Sequence, residues 1–277
     1  MPYYRDCPFV RYDGVRVHYE DRGEGDPPLV LLHGLGMTNF TWSRNVEALS
    51  RERRVIVVEH MAMGDCTGPL RHGYDVENLA GSVLAVMDDL GVSCVDVGGV
   101  SLGGALALFL AVAHPHRVRR LALIGPAAYP VRWPLAMGAA RVPLLGEVGS
   151  LLLPARLFGL AVVASCFARP DDAPVGFARE FAQGYRSLAG RFAVLKTIRA
   201  LPPFGFREIV DGYHHLEAPT LIIWGKKDRL LTPLIPRRLV RDLPNARLVI
   251  LREGAHAPHM EFPETVNPLI IDWLDRK

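Results

Sequence analysis

Six short strand-like runs, mostly apolar, at residues 29–32, 55–58, 94–100, 118–124, 220–224 and 248–251, punctuate the chain. Each is too short for a helix and is bounded by Gly, Pro or polar residues, so each reads as a strand buried on both faces. Residues 15–19 alternate Val, Arg, Val, His, Tyr and predict a strand with one wet face. Between these runs, residues 41–49, 76–90, 101–113 and 233–242 carry apolar positions at helical spacing, and Gly91 marks the end of the second stretch. Strands and helices alternating in this way predict an α/β fold whose mostly parallel sheet is covered on both faces.

From residue 126 to residue 215 the rhythm breaks into Pro-punctuated helical stretches without a clear strand. A crossover between parallel strands needs only about a dozen residues. The excess predicts an insertion: residues 1–125 and 216–277 form the core domain, and 126–215 a helical cap over one edge of the sheet. Its apolar stretches, Leu144-Leu145, 151–153 and 157–163, are expected to lie against a surface. At the C-terminus, Pro268 interrupts a helical pattern, which predicts a restart with Asn267 as N-cap and Pro268 at the first position.

Composition narrows the function classes. With 277 residues, 49% hydrophobic, the chain can bury an enzyme-sized core, which excludes disorder and small disulfide scaffolds. Lys and Arg total 32 against 29 Asp and Glu, without a dense basic block, so a nucleic-acid partner is not expected. Cys7, Cys66, Cys94 and Cys166 lack metal-ligand spacing and read as mostly buried thiols in a reducing, cytoplasmic setting. Residues 97–113 and 151–168 are apolar enough to suggest membrane spans, but glycines fill the first and Pro154 and Arg156 break the second. Stable membrane insertion is not expected.

The chemistry concentrates at Gly99-Val100-Ser101-Leu102-Gly103, a G-x-S-x-G pattern with an apolar strand running in and an apolar helix running out. Such a turn holds the serine hydroxyl outward, and the N-terminus of the following helix faces it. Glycine-rich turns of this kind also bind dinucleotides, but no acid follows at the end of a next strand here. A serine hydroxyl needs a base within hydrogen-bond reach, and the base needs an orienting acid.

Four motifs occur in order: His33-Gly34-Leu35-Gly36, Gly99 to Gly103, Trp224-Gly225-Lys226-Lys227-Asp228 and Gly254-Ala255-His256. Together they resemble the α/β-hydrolase fold family, in its serine-nucleophile, cap-bearing branch, over residues 9–274. The resemblance implies a mostly parallel eight-stranded sheet flanked by helices, with Ser101 as nucleophile, His256 as base and Asp228 as acid. It assigns the oxyanion hole to the backbone N–H groups of Leu35 and Leu102, and implies neither metal nor cofactor. His259 is a competing base, and Glu261 and Asp211 are weaker substitutes for the acid. His33 is expected to be structural, while His18, His60, His72, His114, His116, His214 and His215 read as surface or packing residues.

Departures concern specificity. Val100 stands before the serine where many relatives carry a polar residue, and Glu59 to Cys66 does not follow the family's usual pattern after the fourth strand. Ala257 follows the histidine, where carbon–carbon bond hydrolases often carry Trp. The expected activity is therefore hydrolysis of a small to medium apolar carboxylic ester through an acyl-enzyme. Alternatives are a C–C bond hydrolase of diketone-like compounds, a lactonase, thioesterase or perhydrolase, or a non-catalytic ligand-binding receptor of the same fold. Trp133, Met137, Phe158 and Phe167 are candidate lining residues of the cap, and the protein is expected to be a monomer or homodimer.

Overall fold

The computed structural model describes residues 7–60, 73–129, 135–200 and 207–276. Its eight strands are β1 (Phe9–Tyr12), β2 (Val15–Arg22), β3 (Leu29–Leu32), β4 (Val55–Val58), β5 (Val95–Val100), β6 (Val118–Ile124), β7 (Thr220–Gly225) and β8 (Ala246–Leu251). They form one sheet in the order β1-β2-β4-β3-β5-β6-β7-β8. The pairs β1–β2 and β2–β4 are antiparallel and the rest parallel, so the sheet is mostly parallel, as expected. Every residue of β3, β4, β5 and β7 is buried, which is why these strands are mostly apolar; the charged exception, Asp96 in β5, is paired with Arg53 and Arg119.

Helices α1 (Val46–Ser50), α2 (Val76–Asp89) and α3 (Leu102–Ala113) connect the first strands. Asp75 caps α2 by accepting the Asn78 N–H at 2.9 Å. Between β6 and β7 lie α4 (Leu135–Ala140), α5 (Leu145–Leu152), α6 (Ala155–Cys166), α7 (Phe177–Gly184), α8 (Leu188–Ala200) and α9 (Arg207–Gly212). Helices α10 (Leu234–Asp242), α11 (Pro258–Glu261) and α12 (Pro263–Leu274) complete the chain. Two apolar cores flank the sheet, one containing Val83, Leu106 and Ile222, the other Trp42, Ile223 and Ile270.

Four expectations change. The stretch 41–49 is a 3-10 turn (Asn39–Trp42) followed by the short α1. Pro268 does not restart a helix but sits inside the continuous α12. Asn267 cannot cap there, because its side chain accepts from Asn45 Nδ2 at 2.7 Å and donates to the Arg44 carbonyl at 3.2 Å. The loss at Pro268 is then one helical hydrogen bond near the N-terminal end. The cysteines are less buried than expected: Cys166 is buried, but Cys7 and Cys94 are only partly so.

The fourth change concerns the inserted helices. Their apolar stretches do not all lie against a surface: Leu144, Leu145, Leu151, Leu152, Leu157 and Leu160 stand exposed. Met61, Met63, Cys66 and His72, and also Trp133 and the Met137 side chain, lie outside the described residues.

Candidate active site

Val100 ends β5 and Leu102 begins α3, so the chain must turn at Ser101 alone. Ser101 adopts φ 54° and ψ −113°, a region unfavourable to any residue with a β-carbon. Its N–H donates to the Ile124 carbonyl at 2.9 Å, and its own carbonyl accepts from Ala105 and Ala127 at 3.1 and 3.0 Å. The flanking glycines are steric requirements. A β-carbon at Gly99 would lie 2.3 Å from the Gly103 carbonyl oxygen, and one at Gly103 would lie 2.3 Å from that of Leu32.

Asp228 follows β7 in a turn closed by its own N–H on the Gly225 carbonyl at 3.1 Å. One carboxylate oxygen accepts the N–H groups of Leu230 and Leu231 at 2.8 and 3.1 Å. The other meets His256 Nδ1 at 2.8 Å. Burial alone would raise the Asp228 pKa, but the His256 ring and the two backbone donors outweigh it and hold the carboxyl below its usual value. An ionised Asp228 fixes the proton of His256 on Nδ1 and leaves Nε2 as the basic nitrogen.

Ser101 and His256 line one cavity of about 540 Å³, together with Leu35 and Leu102. No hydrogen bond joins Ser101 to His256 among the described residues, and such contacts often tighten only when substrate binds. Among the described residues, the N–H groups of Leu35 and Leu102 find no backbone acceptor, which leaves both available as donors.

The competing candidates have other partners. His259 is fully buried, with Nε2 3.2 Å from Thr41 Oγ1, and does not line the cavity. Burial and the neighbouring His256 push its pKa down to about 3, so it is neutral across the physiological range. Glu261 accepts the Ala255 N–H at 2.6 Å and the Ala168 N–H at 2.7 Å, which ties the loop before His256 to the end of α6. Asp211 lies in α9 and does not line the cavity.

His33 is structural in its contacts: it stacks on His60 with ring centroids 3.8 Å apart, and both rings are fully buried. His60 Nε2 donates to the His33 carbonyl at 2.9 Å, which fixes the backbone leading to Leu35. Sequence reasoning took His60 for an ordinary packing residue, and only the stacking shows its position behind the Leu35 loop.

Arg191 is a further cavity residue that sequence reasoning missed, because nothing in its local pattern marks it. Among the described residues it is the only Lys, Arg, Asp or Glu in the lining. Its Nη1 donates to the Ser150 carbonyl and, at 2.7 Å, to that of Leu153, while its guanidinium lies 4.6 Å from the Tyr185 ring centre. Phe158 lines the cavity as expected, whereas Phe167 is buried behind it in the core. Among the described residues, no group of three or more His, Cys, Asp or Glu could hold a metal ion.

Residues 29–269 match a family described as "Alpha/beta hydrolase family". The 2-hydroxy-6-oxononadienedioate/2-hydroxy-6-oxononatrienedioate hydrolase of Burkholderia vietnamiensis is 30% identical, covering 95% of this chain and 92% of that protein. The dihydrolipoyllysine-residue acetyltransferase component of the acetoin cleaving system of Pseudomonas putida is also 30% identical, over 92% of this chain; the chain spans 65% of its length. Among solved structures, the enol-lactonase of Burkholderia xenovorans LB400 superposes with a TM-score of 0.79 at 26% identity, covering 97% of this chain and 100% of that one.

Proposed function

The chain belongs to the alpha/beta hydrolase family, and from that premise we propose that it hydrolyses small to medium apolar carboxylic esters through an acyl-enzyme on Ser101. The observation that carries this reading is the cavity. It holds the serine and the histidine, its volume of about 540 Å³ suits a small or medium molecule, and its lining is apolar apart from a few groups. The one cation among the described lining residues, Arg191, already serves two backbone carbonyls.

In this reading, Ser101 Oγ attacks the ester carbonyl as His256 Nε2 takes its proton. Negative charge gathers on the carbonyl oxygen, and this reading assigns its stabilisation to the backbone N–H groups of Leu35 and Leu102, both of which line the cavity. His256 then protonates the departing alcohol, and a water deprotonated by the same nitrogen releases the acid. Asp228 holds the imidazole in one tautomer and stabilises its charged form throughout. Residues 126–215 act as a cap whose inner face supplies most of the apolar lining. The reaction requires neither a metal nor a cofactor.

A second reading, hydrolysis of a carbon–carbon bond beside a ketone, is favoured by the relative from Burkholderia vietnamiensis, whose name speaks for it rather than for an ester. The same nucleophile and base serve that chemistry. The substrate in that name is a dioate with two carboxylates, whereas the cavity here offers one engaged cation and an Ala, not a Trp, after the histidine.

Two experiments test the proposal. p-Nitrophenyl esters of increasing acyl length are assayed beside a vinylogous diketone acid; ester turnover well above diketone turnover is expected, and the reverse order would install the second reading. A fluorophosphonate is expected to label wild type once per chain and to spare Ser101→Ala. Labelling that persists in the variant removes Ser101 as nucleophile, and saturable ligand binding without turnover would make the chain a receptor.

A further inference from the structure

Helices α5 and α6 have two apolar faces where a soluble helix has one. Their inner faces, with Phe158 and Val162, line the cavity. On the outside, Leu144, Val148, Leu151 and Leu152 share one face at helical spacing, and Leu157 and Leu160 stand exposed on α6, with Leu144 exposed to 78% and Leu152 to 75%. Leu144 also holds a left-handed φ of 67°, an expensive place for a branched apolar side chain. Singly exposed leucines are ordinary, but four apolar residues at helical spacing on one exposed face mark an interaction surface.

Charge selects the partner. Between residues 138 and 170 the only carboxylate is Glu147, and both its oxygens are taken by Arg199. Arg156 stands exposed next to Leu157 in the first turn of α6. A second copy seated here would bring a surface of the same sign, whereas an anionic lipid surface complements it. The cavity boundary also runs through this face, because Leu145, Gly149 and Ala161 both line the cavity and stand exposed. Another protein chain lying there would cover that boundary, while a lipid surface would place apolar molecules against it.

The geometry is that of a surface contact. No single helix among the described residues is long and apolar enough to cross a membrane; α5 and α6 together have the length and composition, but they bend by 100° at the break between them. Two short helices with outward apolar stripes and a flanking cation lie in an interface plane.

We infer that the outer face of α5 and α6 is a peripheral docking surface for an anionic lipid bilayer, seating the cavity boundary at the bilayer surface. The binding does not depend on the proposed reaction, so Ser101→Ala is expected to bind as wild type does.

The test is sedimentation of the full chain with phosphatidylcholine vesicles, with and without phosphatidylglycerol. Wild type is expected to co-sediment, and more strongly when phosphatidylglycerol is present. The triple variant L144S/V148S/L152S is expected to lose at least about tenfold in partition coefficient, and R156E to lose the phosphatidylglycerol dependence. Both should keep wild-type turnover of a water-soluble ester. The pair L157S/L160S, on the other helix, provides an independent loss of binding should the triple variant fold poorly. Wild type remaining in the supernatant with both vesicle types overturns the inference. So does a wild-type dimer that the leucine variants convert to monomer while vesicle binding is absent, since a second copy would then be what covers the face.

Discussion

His256 Nδ1 and Asp228 Oδ2 meet at 2.8 Å with both side chains almost fully buried, at 2% and 1% exposure. The ion pair that would form on proton uptake is thus shielded from water and aligned in advance. Asp228→Asn keeps the shape and removes the charge, so the imidazole loses both its tautomer preference and its stabilised cation. Activity is expected to fall by about 10³- to 10⁴-fold with little loss of stability. Steady-state kinetics on a p-nitrophenyl ester, beside a thermal melt, checks this. A variant within tenfold of wild type would mean that another group orients His256.

Two buried histidines give folding stability a pH dependence. His259 has its pKa pushed down to about 3, and burial with the adjacent His60 holds His33 well below its usual value. Unfolding frees both to bind protons at about pH 6.5. The unfolded chain therefore takes up more protons than the folded one below that pH, and stability falls as pH drops. Each group contributes a slope of about 1.4 kcal/mol per pH unit once the pH is well below 6.5. Urea unfolding from pH 7.5 to pH 5 is expected to show this loss, and His259→Gln or His33→Gln should each remove about one proton's worth of slope. Equal slopes in wild type and variants would contradict the neutral state of these rings.

The readable parts of the fold are those whose physics is local. β3 and β4 show as apolar runs because apolar cores cover both their faces, and Ser101 and Asp228 show because each leaves a buried strand through a glycine-containing turn. β1 was not legible: four half-exposed residues on an edge carry no period. The support behind the site was hidden for another reason. Asn45 and Asn267 are 222 residues apart in sequence, and Glu261 serves Ala168 from 93 residues away, so neither pairing leaves a local mark. The outward leucines of α5 were misread because periodicity reports apolar positions, not what covers them.

The elbow around Ser101 tolerates no added atoms. Gly103→Ala would place its β-carbon against the Leu32 and His33 carbonyl oxygens, at 2.3 and 2.6 Å, and backbone cannot move aside as a side chain can. Loss of soluble protein, or destabilisation of about 3 kcal/mol or more, is expected. Gly138 in α4 is the control: a β-carbon there meets nothing within 4 Å, and Gly138→Ala should stabilise by up to about 1 kcal/mol through helix propensity. Unfolding midpoints of the two variants provide the comparison.

Glu261 offers the finest discrimination, because two opposing terms act on one carboxylate. Its oxygens accept the Ala255 and Ala168 N–H groups, joining the loop of His256 to the end of α6. Burial at the same time holds its pKa above the usual carboxylate value, so the charged form is disfavoured where it sits. Glu261→Gln sets an amide N–H₂ against one backbone N–H but also removes the buried charge, and the two effects partly cancel; a cost of about 1 kcal/mol is expected. Glu261→Ala leaves both N–H groups unsatisfied and should cost about 2–3 kcal/mol. Because the same two bonds position the backbone next to His256, turnover should fall in the same order, Ala below Gln below wild type. Denaturant midpoints and turnover measured on both variants decide the matter. A Gln variant as damaged as the Ala variant would show that the charge, not the acceptor geometry, holds the loop.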